Sequence, residues 1–504
     1  MKYGSISTGS KEATLAAEEI LKFGGNAFDA AVSAIFVSMT SEFALTGVFG
    51  GGTLLGIKDN ESPFIYDFFV NCPEYKNNPE AEFKEVMVNF GNTEQKFHVG
   101  KGSIATPGNL MGLLEIQKKY GVLNLEDVLS PAKEIANSGV IINKYQSDII
   151  KLVNPILTFD NSGKELFIKN GNLISEGDNF KNTSFADFLD VVIKNGSDYF
   201  YKGEGLNTLL NHCSDGGYIK KNDFNSYQVY KRTPICLNYL GYDIFTNPAP
   251  SFGGSLIIFL LKLFKDSSND LNLFNLIKGM NLSSLARNEI CKNPDDEMEI
   301  NKIFKSNYYS KYLKLFQDNS INFTDSIDGF GSTTHVSILD KDGNAASVTT
   351  TNGEGCGYII PEFGVMMNNM LGEQDLNPFG FHNWSKARRL PTMISPIIIC
   401  KNNKPKYIFG SGGSNRIRSA NTQVIFNLLY KNYSLKQSID ESRIHLEGNT
   451  LFFEPGVNLP EEKYLEGLIL NSFNNKNVFF GGVNAVSKDE AIGDKRRGGY
   501  GVVS

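Results

Sequence analysis

Apolar and polar residues alternate with period two on both sides of an Asp-Gly pair late in the chain. Val336 and Ile338 alternate with His335 and Ser337, and Ala346 and Val348 with Ser347 and Thr349, around Asp342-Gly343. That pattern predicts an antiparallel hairpin over 331–351. Loop length decides which faces meet, because a slip of one residue turns every side chain over. A two-residue loop points Thr351 away from Thr333. A three-residue loop, Lys341-Asp342-Gly343 with its glycine left-handed, sets the two threonines opposite each other, with Cβ atoms roughly 5 Å apart. Threonine is also simply a good strand former, and the pattern alone is satisfied by that.

Near the start, Leu15, Ile20 and Leu21 recur at helical spacing after Ser10. They predict a helix capped by Ser10, with those three facing inward and a stop at Gly24-Gly25. Asn26 and Asp29 form a capping-box pattern for a second helix, whose Ala30, Ala31, Ala34 and Ile35 permit close packing. Gly50-Gly51-Gly52 opens the strand Thr53-Leu54-Leu55-Gly56-Ile57; it lacks the Gly-Lys-Ser/Thr ending of a phosphate loop and reads as close backbone packing. From 187 to 264 helical and strand patterns alternate, and Thr246-Asn247-Pro248-Ala249-Pro250 is an extended break before the apolar helix around Ile257-Ile258-Phe259-Leu260-Leu261. Segment 266–332 is more polar and ends in Asp325-Ser326-Ile327-Asp328-Gly329-Phe330-Gly331, the composition of an exposed, mobile approach to the hairpin. After the hairpin, Tyr407-Ile408-Phe409 runs into Gly410-Ser411-Gly412-Gly413-Ser414 and a helix containing Ile417 and Val424. No internal repeat is present.

Composition narrows the function classes. With 504 residues, 41% of them hydrophobic, the chain buries a large core. A net charge of −6 leaves no basic surface for nucleic acid, and Lys495-Arg496-Arg497 reads as a solvated turn. The opening residues lack the apolar core of a secretory signal and no run is long enough to span a membrane, so a cytoplasmic location is expected. Six scattered cysteines fit reduced thiols, and five dispersed histidines give no pattern for a metal site.

The chemistry carried by the hairpin concerns Thr333. A hydroxyl is a weak nucleophile until a base takes its proton, and an α-amino group, with a reference pKa near 8, is such a base. Thr333 acquires that amine only if the Ser332–Thr333 bond is cut. Acyl transfer also needs oxyanion donors, commonly backbone N–H groups at a tight glycine turn.

Gly331-Ser332-Thr333-Thr334-His335-Val336-Ser337-Ile338-Leu339-Asp340-Lys341-Asp342-Gly343-Asn344-Ala345 resembles the processing segment of the gamma-glutamyltranspeptidase family, within the N-terminal-nucleophile hydrolases. Further blocks resemble the family in its order: Ala16 to Leu21, Gly25 to Val32, Gly47 to Gly52, Thr106-Pro107-Gly108, Tyr201-Lys202-Gly203, Pro248 to Gly254, Met367-Asn368-Asn369, Gly410 to Gly413 and Arg496 to Gly499. The resemblance implies an α/β, four-layer αββα sandwich and self-cleavage between Ser332 and Thr333. Segment 1–332 would then be the larger piece and 333–504 the smaller, staying folded together as one catalytic unit. It implies Thr333 as nucleophile, Thr351 as the second threonine beside it, and Gly412 and Gly413 as oxyanion donors, with Ser414 next where the family has glycine. The implied substrate is a small-molecule or peptide amide, a γ-glutamyl amide such as glutathione first, with water or an amine as acceptor and no cofactor.

The substrate pocket departs from the family. Phe69, in Asp67-Phe68-Phe69, stands where the family has the arginine that grips the substrate α-carboxylate. Losing a guanidinium–carboxylate fork costs about 2–3 kcal/mol. Arg388 and Arg389 are candidates to replace it, and each equally suits a surface or structural ion pair. The family's polar-loop asparagine corresponds to Gly353 or, with a gap, Asn352; Glu373 or Asp375 is the acid for the α-amino group; Met370 replaces a polar neighbour; and Pro391-Thr392 replaces paired serines, leaving one hydroxyl. Two alternatives stand beside the γ-glutamyl reading: an acylase-type amidase with another acyl group, and a non-catalytic, uncleaved relative that binds a ligand. Oligomeric state stays open, with a homo-oligomer among the options.

Overall fold

The hairpin forms with the three-residue loop: Thr334 pairs with Thr350 and Leu339 with Ala345, and Gly343 takes φ 91°. Asp340 fixes the loop, its carboxylate accepting from the N–H groups of Asp342 and Asn344 at 3.0 and 2.9 Å. The computed structural model describes residues 2–59, 61–89, 94–267, 269–290, 299–318, 332–384 and 387–504. Cys291 and the expected mobile approach at 325–331 lie outside the described residues.

Thr334–Asp340 and Ala345–Thr351 are inner strands of a seven-stranded antiparallel sheet. Its order is Tyr230–Arg232, Phe64–Phe68, Gly51–Ile57, Ala345–Thr351, Thr334–Asp340, Gly4–Thr8 and Tyr500–Val503. A second antiparallel sheet runs Ile235–Tyr239, Tyr242–Thr246, Ile397–Lys401, Lys404–Gly412, Gly482–Val486 and Ala491–Ile492. Period-two alternation sorts the hairpin's side chains between two environments. Val336, Ile338, Ala346 and Val348 pack in one core with helices Lys11–Phe23 and Ala27–Ser41. Leu339 and Ala345 turn the other way, onto Ile398, Ile408 and Val486 of the second sheet. The far face of that sheet is covered by helices Phe252–Asp266, Leu273–Ile290 and Arg416–Leu429. The four layers are therefore helix, sheet, sheet, helix, the αββα sandwich expected.

Local signals explain the first helix pair. Ser10 caps Lys11–Phe23 by accepting from the Ala13 N–H, and Gly24 ends it in the left-handed conformation. Asn26 and Asp29 make the full capping box, and every residue of Ala27–Ser41 is buried, as its alanine-rich, apolar surface requires. Leu15 departs from expectation: it is 43% exposed, because at about 100° per residue it lies opposite the buried stripe of Ala13, Ala16, Ala17 and Ile20. Gly50 fits the close-packing expectation, since a Cβ there would stand 2.0 Å from the Thr351 carbonyl oxygen.

Two further expectations are corrected. Segment 266–332 is not simply an exposed approach, for it contains helices Leu273–Ile290 and Ser306–Gln317, whose Leu276, Ile277, Met280, Tyr312 and Phe316 are core residues. Nor is Lys495-Arg496-Arg497 a solvated turn, although Lys495 is exposed. Arg496 is buried and pairs with Glu454 at 2.6 Å and Asp494 at 3.3 Å, and Arg497 is buried against the glycine loop. No helix among the described residues is long and apolar enough to cross a membrane.

Candidate active site

Odd-numbered residues of Thr334–Asp340 face the second sheet; Leu339 is apolar there, and His335 and Ser337 make polar contacts. His335 meets the Thr349 hydroxyl at 2.7 Å through Nδ1 and the Ser337 hydroxyl at 2.9 Å through Nε2, and Asn484 donates to the His335 carbonyl at 2.9 Å. Burial without a charged partner pushes His335 down to about 3, so it is neutral at ordinary pH, its ring bonded to two hydroxyls of its own sheet. Thr333 precedes this strand by one residue and is buried. A Cβ on Gly412 would lie 2.2 Å from the Thr333 carbonyl oxygen, so only glycine lets the second sheet come this near. Gly413 and Ser414 follow with φ 117° and 51°, at the entrance to helix Arg416–Leu429. The left-handed φ at Ser414 is a conformation that glycine adopts more readily than serine.

Ser332 is held on both sides. The Thr351 hydroxyl donates to the Ser332 carbonyl oxygen and accepts from the Gly353 N–H at 3.0 Å. The Ser332 N–H donates to Glu354 Oε1 at 2.9 Å. Glu354 had not been singled out in the sequence, because its approach to Ser332 depends on a turn through Gly353 and Gly355, both left-handed at φ 62° and 92°. Asn369 fixes that turn by accepting from the Glu354 and Gly355 N–H groups at 2.9 and 3.3 Å.

Glu373 and Asp375 join Glu354 in a buried acidic group. A Cβ on Gly353 would stand 2.3 Å from Glu373 Oε1, and the Ser414 hydroxyl donates to Asp375 Oδ2. Burial raises all three carboxyls; the neighbouring Asp375 charge adds to this at Glu354, and the Glu354 and Asp375 charges add to it at Glu373. The Ser414 hydrogen bond and Arg287 act against the rise at Asp375, and Arg287 also donates to the Asp375 carbonyl at 2.8 Å.

Other expected residues lie elsewhere. Asn352 is buried with its amide donating to the Met366 carbonyl at 3.1 Å. Thr392 lines a small cavity with Thr53, Asp67, Phe69, Ser251 and Arg389. Arg389 does not stand in for the missing arginine: fully buried, it pairs with Asp67 at 3.3 Å and donates to the Phe69 carbonyl, the Tyr227 hydroxyl and the Gln228 carbonyl. Those bonds commit it to shaping the Phe69 turn. Arg388 is buried, and its carbonyl accepts from the Cys72 N–H at 2.8 Å.

A second buried acid flanks strand Thr334–Asp340. The Thr334 hydroxyl lies 3.0 Å from both oxygens of Glu42, and burial pushes the Glu42 carboxyl up to about 7, against hydrogen bonds from Ser38 and Thr334.

The chain is similar to known proteins over most of its length. The chain is 28% identical over 533 aligned residues to a glutathione hydrolase proenzyme of Bacillus subtilis (strain 168), covering 98% of this chain and 89% of that one. It is 26% identical over 473 residues to the acylase ACY 1 proenzyme of Pseudomonas sp. (strain SE83), covering 90% and 84%. The crystal structure of a cephalosporin acylase from Bacillus halodurans shares the fold, with a TM-score of 0.85 at 20% identity over 99% of this chain and 96% of that one. A model of the gamma-glutamyltranspeptidase family matches residues 13–503, nearly the whole chain, and this protein belongs to that family.

Proposed function

We propose that the protein is a self-processing amidohydrolase or acyltransferase whose nucleophile is Thr333, freed as an N-terminus by cleavage after Ser332. The observation that carries this reading is the Thr351 hydroxyl donating to the Ser332 carbonyl oxygen, where negative charge develops when that carbonyl is attacked. In self-cleavage the Thr333 hydroxyl oxygen adds to the Ser332 carbonyl carbon and its proton passes to the Thr333 nitrogen. The C–N bond then breaks, leaving an ester, and water hydrolyses the ester to the Ser332 carboxylic acid and a free Thr333 hydroxyl. The new amine serves as base for later turnovers. A substrate amide would acylate Thr333, with Gly412, Gly413 and Ser414 offering the oxyanion turn, and water or an amine would release the acyl group.

The leading substrate class is a γ-glutamyl amide such as glutathione, supported by family membership; Glu373 and Asp375, whose carboxyls burial raises, are the acids that an α-ammonium group would draw into their charged form. An acylase reading has its own support: Phe69 is buried where the carboxylate-binding arginine is expected, and Arg389 is committed elsewhere. The test is a panel of γ-glutamyl and other acyl anilides, beside Thr333→Ala. Turnover of γ-glutamyl anilide by wild type alone supports the first reading. Turnover of only the other anilides replaces it with the second, and no turnover of any points to a non-catalytic binding role.

A further inference from the structure

We propose that Glu354 is a positioning residue for self-cleavage, its carboxyl accepting the Ser332 N–H so that the scissile carbonyl stays against the Thr351 hydroxyl. The inference rests on the self-cleavage reading above. Ser332 has its N–H on Glu354 at 2.9 Å and its carbonyl on Thr351, so the polar groups before and at the attacked carbon are both anchored. Anchoring two points of one residue sets the plane of the peptide to be cut, which is the orientation that intramolecular attack requires.

Glu354 is itself fixed before it acts. Its N–H is on Asn369, and the glycines on either side have left-handed backbones that bend the loop toward Ser332. Asn369 sits between that loop and the one bearing Glu373, with its amide donating to the His98 carbonyl at 3.3 Å. The groups facing Glu354 are therefore the Ser332 N–H, Asn369, Glu373 and Asp375, with no basic side chain in described hydrogen-bond contact with it. A carboxyl buried beside two others does not favour the fold, and replacing such a group with an apolar one is often neutral or stabilising. Its contribution is to geometry.

The experiment follows fragment formation after pulse synthesis, by denaturing gel and intact mass, with thermal unfolding of each variant. Glu354→Leu removes the acceptor; cleavage is expected to slow about 10- to 100-fold while the melting temperature holds or rises. Glu354→Gln keeps an acceptor oxygen and is expected to stay within about threefold of wild type. Ser332→Pro removes the donor and slows cleavage about as much as Glu354→Leu, and adding Glu354→Leu to it costs less than about threefold more, since one contact cannot be lost twice. Wild-type speed in Glu354→Leu, or penalties that multiply in the double variant, overturns the inference. If Glu354→Leu fails to fold, wild-type speed in Ser332→Pro overturns it. A wild-type chain that never cuts overturns self-cleavage itself.

Discussion

Among single residues, the proposed self-cleavage depends on which hydroxyl and carbonyl groups meet at Ser332 and Thr333. Thr351→Ala removes the donor to the Ser332 carbonyl, and cleavage is expected to slow about 100-fold, the usual effect of deleting one oxyanion donor; time-resolved gels of fresh protein measure it. Glu42 makes a separate prediction about pH. Its folded carboxyl is raised from 4.5 to about 7, so the folded state holds a proton that the unfolded chain releases. The stability this confers is complete below about pH 4.5 and is lost as pH rises through about 7, a change of about 3 kcal/mol. Glu42→Gln, which cannot ionise, is expected to flatten that part of the stability curve in denaturant titrations. The hairpin was legible in the sequence because period-two alternation flanks an Asp-Gly turn, but alternation left the loop length open, and the family resemblance is what singled out Thr333 and Thr351. Glu354 was not legible, because its place depends on a turn with left-handed glycines on either side of it, and Arg389 stayed open between pocket and structural ion pair because its partners Asp67 and Tyr227 are distant in sequence.

At the scale of elements, the approach of the two sheets at the site depends on Gly412. A Cβ there meets the Thr333 carbonyl oxygen, which is backbone and cannot swing aside. Gly412→Ala is expected to lower unfolding stability by about 1–3 kcal/mol and to displace Thr333, leaving the chain uncut; denaturant melts and intact mass read both effects. Strong local signals wrote most elements plainly: a capping box at Asn26, glycine at Gly24, alternation along the hairpin. The helix Leu273–Ile290 escaped notice because Lys278, Asn281 and Ser283 are buried among its apolar residues, hiding its core role in a polar composition. Arg496 was taken for surface because its acidic partners, Glu454 and Asp494, become neighbours only in the fold. Leu15 erred the other way, apolar yet on the exposed face.

At the scale of the whole molecule, a cut after Ser332 does not divide the fold. The first sheet takes Gly4–Thr8, Gly51–Ile57, Phe64–Phe68 and Tyr230–Arg232 from before the cut and three strands from after it. The second takes Ile235–Tyr239 and Tyr242–Thr246 from before it and four strands from after it. Thr334–Asp340 bonds to Gly4–Thr8 on one side, so separating the pieces means unzipping a central ladder and exposing both cores. The two fragments are expected to elute as one species in gel filtration and to part only in denaturant. The most direct test of the central claim is the intact mass of purified wild type beside Thr333→Ala under denaturing conditions. Fragments of 332 and 172 residues, ending at Ser332 and beginning at Thr333, in wild type and one uncut chain in the variant are the predicted result. A wild type that remains a single 55.8 kDa chain after prolonged incubation would contradict it.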